Sequence, residues 1–279
     1  VKNAVRLHDD LIVESVLIPT ETRTTACVSS QVGCSLDCNF CATARLKRMR
    51  NLEPGEIYDQ VALVKNLAET KYNQTLTNIV YMGMGEPFLN YPEVNKALEI
   101  FCGPKFLNFS ERRVTISTCG IVPGIKKLMV DHPQVSLAIS LHAPNDEARK
   151  SIMPVDNTYP LDVLMKTLDE YVEKTNKRIF YEYIMIQWVT DKLPYAYELA
   201  DLMEGRLGHV NFIPYNPGEG IMGVGHKPTS MIIMKKFQQV LEKAWVPSTI
   251  RHTMGDDIAA ACGQLALKEE KHDPSKVPE

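Results

Sequence analysis

Three cysteines lie close together in the stretch GCSLDCNFCAT, residues 33–43. Cys34, Cys38 and Cys41 follow the spacing C-x3-C-x2-C, which suits one tight loop around a compact metal centre. Thiolate ligands favour zinc, copper(I) or iron–sulfur clusters. A structural zinc takes four ligands, and no histidine lies nearby in the sequence to supply the fourth. Three cysteines can instead hold a four-iron cluster with one iron open to a non-protein ligand. A zinc loop completed by a distant ligand is the alternative.

The composition is that of an ordinary globular chain. Its 279 residues are 44% hydrophobic and 23% charged, with a net charge of −3. This charge is not typical of a nucleic-acid binder, so any contact with RNA must come from local patches. No apolar run approaches the ~20 residues of a membrane span, and no secretory signal is visible. Seven cysteines without such a signal indicate a reduced, metal-binding or catalytic set, so we expect a cytoplasmic protein that contacts no membrane. We take it to be a monomer.

The elements that must position these cysteines alternate between strand and helix patterns. Residues 5–18 predict a β-hairpin around the sequence HDD. Strands are then predicted at 26–31, 77–83, 112–118, 134–142, 178–186, 209–214 and 248–253, and helices at 54–69, 92–101, 123–129, 161–175, 194–204 and 230–244. This alternation implies a parallel sheet with right-handed crossovers.

Six to seven such units are fewer than the eight of a closed barrel. We therefore predict an α/β fold, a partial barrel of the (β/α)6 type with an N-terminal β-hairpin extension. The extension would cover residues 1–20 and the barrel residues 21–266. Residues 267–279 are charged and hold prolines, which predicts a disordered tail.

The cysteine spacing, with Phe40 before the last cysteine, resembles the signature of the radical SAM superfamily. Further motifs resemble, in the same order, those of the RNA adenine methylases of the RlmN/Cfr family: CVSSQVGCSLDCNFCAT, YMGMGEP, VTISTCG, ISLHAP, FIPYNP and GDDIAAACGQL. The resemblance spans residues 12–266. It implies a radical SAM barrel with a [4Fe-4S] cluster on Cys34, Cys38 and Cys41, and two molecules of S-adenosylmethionine (SAM) per turnover. One of them would be cleaved to a 5′-deoxyadenosyl radical.

The resemblance also implies a SAM site at the carboxyl ends of the predicted strands, where barrel enzymes place their chemistry. Gly85 and Glu86 would hold the methionyl ammonium group, since a carboxylate and an ammonium form a charge-assisted pair. A serine at a strand end is, taken alone, most often a turn residue. The remaining SAM-site residues implied by the resemblance are Ser117, Ser140, Leu141, His142 and Asn216.

Two further cysteines match catalytic positions of the family. Because C2 of adenine is electrophilic, ordinary SN2 methylation of that carbon fails. By resemblance, Cys262 takes a methyl group from one SAM, and the radical made from a second SAM removes a hydrogen from it. The resulting carbon radical adds to C2, and Cys27 then forms a disulfide with Cys262 that frees the base. Glu14 matches a family proton acceptor, with an exposed strand carboxylate as the alternative. Cys102 and Cys119 are expected to be small buried residues.

The resemblance implies 23S ribosomal RNA and transfer RNA as substrates, and an electron donor such as flavodoxin. The basic run ARLKRMRN, residues 44–51, is either a solvated face or a contact for RNA phosphates. The family's N-terminal helical RNA-binding domain is expected to be absent from this chain. Val32 resembles the C2-methylating branch. The alternatives are a C8 methylase of the same family and a non-catalytic, metal-stabilised RNA-binding protein.

Overall fold

The computed structural model describes residues 1–217 and 225–265. Its strands are β1 (Lys2–Arg6), β2 (Ile12–Pro19), β3 (Thr24–Cys27), β4 (Gln31–Val32), β5 (Arg50–Asn51), β6 (Asn78–Tyr81), β7 (Val114–Thr118), β8 (Ser136–Ser140), β9 (Ile179–Met185), β10 (Gly208–Pro214) and β11 (Ser248–Ile250). Its helices are α1 (Pro54–Tyr72), α2 (Tyr91–Cys102), α3 (Val122–Asp131), α4 (Asp146–Ile152), α5 (Leu161–Thr175), α6 (Leu193–Met203) and α7 (Met231–Lys243).

One nine-stranded sheet organises the fold, in the order β1-β2-β3-β6-β7-β8-β9-β10-β11. Within this sheet, each strand from β3 through β6 to β11 runs parallel to the next. The pairs β1–β2 and β2–β3 are antiparallel. At least one helix follows each of β3, β6, β7, β8, β9 and β10. Because β1 and β11 are the two edges, the sheet is an open, partial barrel. The predicted fold class and N-terminal hairpin are therefore confirmed.

Along the strands, alternate side chains face the interior of the barrel and the surrounding helices. In β7, Val114 and Ile116 are fully buried beneath the helices, while Thr115 and Ser117 point into the interior. The helices complete the shell through apolar faces spaced by three and four residues, as in α5 with its buried leucines. The interior thereby keeps small polar side chains that leave space for ligands.

Several predicted strands were too long, among them those at 77–83 and 134–142, which are Asn78–Tyr81 and Ser136–Ser140, and helix α4 was missed. The strand predicted at 26–31 ends at Cys27, because the backbone beyond it bonds instead to the loop after β6, through Ser30 N to Met84 O at 2.9 Å. The strand predicted at 248–253 ends at Ile250. The missed helix is α4. Its start is marked by Asn145, whose side-chain oxygen accepts a hydrogen bond from the backbone N–H of Ala148.

The tail predicted at 267–279 lies outside the described residues. Across the described ranges, no helix is long and apolar enough to cross a membrane.

Candidate active site

The loop with Cys34, Cys38 and Cys41 lies at the carboxyl ends of the parallel strands and lines a cavity there. We call it the rim cavity; its walls include these cysteines together with Gly85, Glu86, Ser117, Thr118, Cys119, Ser140, His142 and Cys262. All three thiols are free. Burial, together with the neighbouring Cys41 thiol, raises the pKa of Cys34 to about 12. Without a bound metal, such burial favours protonated, uncharged thiols.

The donor set of this loop fits an iron–sulfur cluster better than a single ion. In the part of the chain that is described, no three His, Cys, Asp or Glu side chains converge closely enough to hold one metal ion. A cluster has a different requirement, because each cysteine binds a different iron atom and the sulfurs stay further apart. Three soft thiolates facing one cavity meet that requirement.

The basic run after the cluster loop is partly engaged within the protein. Arg50 forms ion pairs with Asp9 at 2.6 Å and with Glu56 at 2.7 Å. Lys47 and Arg48 are exposed. Their backbone packs on Gly33, where an added Cβ would lie 2.0 Å from the carbonyl oxygen of Lys47. The backbone of this run therefore shapes the base of the cluster loop, while the side chains of Arg45, Lys47 and Arg48 are exposed.

Glu86 places a buried carboxylate in the wall of the rim cavity. Its oxygens accept the backbone N–H groups of Cys119 at 2.9 Å and Phe88 at 3.0 Å. Burial raises the pKa of Glu86, while these donors lower it. A cation entering the cavity would favour the charged form, so the site suits an ammonium group. Cys119, expected to be a small buried residue, is buried beside this carboxylate.

The glycines before Glu86 are required by packing within the chain itself. Gly85 has a φ of 92°, and a Cβ there would lie 2.5 Å from the side chain of Gln31. Gln31 in turn accepts the backbone N–H of Glu86 at 2.9 Å and donates to Asn51 at 2.8 Å. Gln31 is a positioning residue that the sequence interpretation missed, although it lies inside the motif CVSSQVGCSLDCNFCAT.

The ends of β7 and β8 supply Ser117, Ser140 and His142 to the same cavity. The Nδ1 atom of His142 accepts the backbone N–H of Ile184 at 3.1 Å, and its ring meets Phe40 edge-on at 4.9 Å. Burial lowers the pKa of His142 to about 3. The imidazole is therefore neutral, with Nε2 as its donor.

Leu141 and Asn216 are placed differently from the other predicted SAM-site residues. Leu141 is fully buried, and its backbone N–H donates to Glu182 O at 3.0 Å. Asn216 lines a second cavity, where its side chain accepts from Thr253 at 3.2 Å. Their assignment to the cofactor stays a prediction.

The second cavity occupies the barrel interior and reaches the amino ends of the strands. We call it the lumen cavity; residues facing it include Thr25, Cys27, Asn78, Thr115, Phe180, Asn211 and Asn216. Both cavities are bordered by Met82, Glu182, Ile213, Arg251 and Cys262. Cys262 therefore lies between the cluster loop on one side and Cys27 on the other.

The two predicted catalytic cysteines are close enough for the Cys262 thiol to affect the ionisation of Cys27. Burial, together with the neighbouring Cys262 thiol, raises the pKa of Cys27 to about 12. Cys262 is exposed, yet the desolvating cavity walls around its thiol raise its pKa, while the guanidinium of Arg251 lowers it. Arg251 is thus the cation that favours a thiolate at Cys262.

The sequence interpretation missed the charged network in the barrel interior. Glu182 is 4% exposed, accepts from Asn211 Nδ2 at 2.9 Å and pairs with Arg251 at 3.2 Å. A usable signal was present, because Glu182 is the single charged residue in the apolar strand segment 179–185. Its register with Asn211 across β9 and β10 required the structure.

A second missed residue, Arg149, braces the strand ends around the rim cavity. It is fully buried, pairs with Asp156 at 2.6 Å and donates to the carbonyl oxygens of Cys119 at 2.6 Å and Leu141 at 3.2 Å. Its helix also holds the cluster loop, because Asn39 N donates to Ile152 O at 3.1 Å.

Glu14, the predicted proton acceptor, lines neither the rim cavity nor the lumen cavity. In the register of β2 with β3, Val16 is opposite Cys27, so Glu14 shares the face of Cys27. The Glu14 side chain is 1% exposed and forms an ion pair with Lys2 at 3.2 Å. Its backbone carbonyl accepts from the Ser29 hydroxyl at 2.6 Å.

Comparison with known proteins matches this geometry. The Radical SAM superfamily profile matches residues 28–200. A Flavobacterium psychrophilum protein named "Probable dual-specificity RNA methyltransferase RlmN" is 49% identical, covering 96% of this chain and 77% of its own length. A Thermoanaerobacter sp. protein of the same name is 44% identical, over 96% of this chain and 76% of its own length. A radical SAM methyltransferase from Sphaerobacter thermophilus superposes with a TM-score of 0.93 at 42% identity, over 96% of this chain and 77% of that one.

Proposed function

This chain belongs to the radical SAM superfamily and, within it, to the RlmN family of RNA methyltransferases, and on that premise we propose that it methylates C2 of adenine in 23S ribosomal RNA and in transfer RNA. As a methyltransferase it uses a [4Fe-4S] cluster and SAM. The non-catalytic alternative is set aside by the family membership. The proposal adds the base, the carbon atom, the RNA substrates and the roles of individual residues.

The single observation that carries the proposal is the position of Cys262. Its side chain borders both the rim cavity, with the cluster cysteines, and the lumen cavity, with Cys27. A residue that collects a methyl group from a cofactor and passes it to a base needs access to both. Release of the product by disulfide formation further requires that Cys27 lie within reach of Cys262.

When bound, the cluster and SAM supply the methyl group and a 5′-deoxyadenosyl radical at the rim cavity. Cys34, Cys38 and Cys41 would hold the cluster. Glu86 would accept hydrogen bonds from the methionyl ammonium group, while Ser117, Ser140 and the neutral His142 offer hydroxyl groups and an N–H to the remainder of SAM. Gly85 keeps Glu86 in place.

Cys262 then acts as a methyl carrier. Its thiolate, favoured by Arg251, forms an S–CH3 bond and displaces S-adenosylhomocysteine. After a hydrogen atom is removed from this methyl group, the carbon adds to C2 of adenine. The C2 proton leaves to a base, for which Glu14 is our candidate because it shares the face of Cys27. Cys27 attacks the sulfur of Cys262, so that a disulfide forms as the S–C bond breaks. The released carbon takes up a proton to become the methyl group, and the surplus electron would pass to the bound cluster.

The target adenine would enter the lumen cavity unstacked from its RNA, as in other base-modifying enzymes. Glu182 offers acceptors for an exocyclic amino group, and Arg251 and Asn211 offer donors for ring nitrogens. These acceptors and donors match the hydrogen-bonding groups on the edge of a purine, which supports adenine as the substrate. We further propose that the protein works in the cytoplasm as a monomer and receives electrons from a donor such as flavodoxin.

The test is the product made by anaerobically reconstituted protein from unmodified ribosomal and transfer RNA. Chromatography with mass detection of the digested RNA separates 2-methyladenosine from 8-methyladenosine. We expect the C2 isomer, together with an added methyl group on the Cys262 peptide. The C8 isomer would establish the alternative regiochemistry, and unmethylated Cys262 during turnover would refute the carrier mechanism.

A further inference from the structure

Two hydrogen bonds join the loop that carries Cys262 to the segment that follows the last cluster cysteine. The Thr43 hydroxyl donates to the Leu265 carbonyl oxygen at 2.7 Å. One residue earlier, the Ala42 N–H donates to the Gly263 carbonyl oxygen at 2.8 Å. Thr43 and Leu265 are each 4% exposed, so the hydroxyl bond is shielded from water. The two loops are therefore docked on each other through the residues that directly follow Cys262.

The other polar contacts of the Cys262 loop shape it internally. Gln264 accepts the Ala261 N–H at 3.0 Å and donates to Asp256 at 2.6 Å, closing a compact turn. The last described strand ends at Ile250, so the chain reaches Cys262 through irregular backbone and one short 3-10 turn. A turn of this kind can hold its own shape and still move as a unit relative to the barrel. Its docking contacts decide where the Cys262 sulfur lies.

We propose that Thr43 is a positioning residue that fixes the methyl-carrying sulfur of Cys262 relative to the cluster loop. The proposal rests on the function proposed above, in which Cys262 must meet SAM on one side and the base on the other. Because Thr43 follows Cys41 by two residues, its hydroxyl makes the Cys262 loop follow any movement of the cluster loop. Replacing the hydroxyl by a methyl group leaves the buried Leu265 carbonyl oxygen unpaired, which favours the undocked state of the loop.

The test compares Thr43→Val with Thr43→Ser, which restores a hydroxyl. Thr167→Val is the matched control, because the Thr167 hydroxyl is also buried and also donates to a backbone carbonyl, that of Val163 at 2.9 Å on the outer helix α5. In cluster-free protein, we expect hydrogen exchange of the peptide spanning 256–265 to accelerate roughly tenfold in Thr43→Val. Thr43→Ser and Thr167→Val should exchange at the wild-type rate.

The second readout uses the loaded enzyme. We expect Thr43→Val to keep its cluster content and its KM for SAM, yet to yield roughly tenfold less methylated RNA for each 5′-deoxyadenosine formed. If Thr43 had a merely structural role, the yields of methylated RNA and of 5′-deoxyadenosine would fall together. Thr43→Ala gives the same readouts if Thr43→Val does not fold.

Wild-type exchange and wild-type product ratio in Thr43→Val would overturn the proposal. A wild-type enzyme with no methyl on Cys262 would instead refute the proposed function, while the exchange measurement would still decide whether Thr43 anchors the loop.

Discussion

Glu182 and Arg251 form an ion pair, with 3.2 Å between Oε2 and Nη1, in the wall that separates the two cavities. The glutamate is the more buried partner, with a side chain 5% exposed against 40% for the arginine. Arg251 also lowers the pKa of Cys262, whereas Glu182 raises it. The pair thus sets the charge beside the proposed methyl carrier, and its two members act on the thiol in opposite directions.

Removing either member should shift the ionisation of Cys262. Arg251→Met removes the cation that favours the thiolate, so the pKa of Cys262 should rise; Glu182→Gln should lower it. The measurement is the pH dependence of alkylation at Cys262 by a thiol reagent, followed by peptide mass in cluster-free protein. Shifts in the same direction for both variants would contradict this assignment. Arg6→Met, at an exposed surface pair, is the control and should leave the profile unchanged.

Glu86→Gln should weaken SAM binding while leaving the cluster in place. The amide keeps the shape of the carboxylate, but it loses the charge that would face the ammonium group. Loss of a charge-assisted hydrogen bond predicts an affinity lower by roughly tenfold or more. Calorimetric titration with SAM measures the affinity, and iron and sulfide analysis checks the cluster. Glu93→Gln, on the exposed surface of α2, is the matched control. Equal affinities for the two variants would exclude Glu86 from the site.

Arg149→Met should strongly destabilise the fold. The arginine and Asp156 are both fully buried, and its loss leaves the carboxylate without its cation. Breaking such a buried pair costs about 3–5 kcal/mol. Urea unfolding measures the free energy of unfolding. Arg206→Met breaks a partly exposed pair with Asp169 and should cost less than about 1 kcal/mol. A double variant, Arg149→Met with Asp156→Leu, should recover part of the loss; no recovery would argue against the charge as its cause.

The stability of the protein should fall on acidification in a way that depends on His142. Its pKa is about 3 in the folded protein, below the ordinary value of 6.5, because the ring is buried. Between these values the unfolded chain binds a proton that the folded chain does not. The free energy of unfolding therefore decreases as the pH falls below 6.5, by about 1.4 kcal/mol per pH unit from this group.

The variant His142→Asn removes that titration. Asparagine tolerates the left-handed conformation of this position, φ 61°, and its side-chain oxygen can accept the Ile184 N–H. We expect its melting temperature to fall less steeply than that of the wild type between pH 7 and pH 5. Parallel curves for the two proteins would show that another group causes the acid sensitivity.

Much of the fold followed from local patterns in the sequence. The helix predicted at 161–175 coincides with α5, because its apolar residues recur at the helical period and a proline precedes it. The strand predicted at 26–31 was wrong beyond Cys27, since the pairing of residues 28–31 with the loop after β6 is a tertiary contact that strand propensity does not encode.

The sequence by itself determined the candidate residues for the chemistry: a cysteine loop for a cluster, a carboxylate after two glycines, and two further cysteines at positions that match the family. Short spacing places the cluster cysteines in one loop whatever the rest of the chain does. Only the tertiary structure decided which residues share a cavity. The Glu182–Arg251 pair joins positions 69 residues apart, and the Thr43–Leu265 bond joins positions 222 apart. Such contacts depend on the order and register of strands around the barrel, which bring distant segments together and which no local pattern specifies.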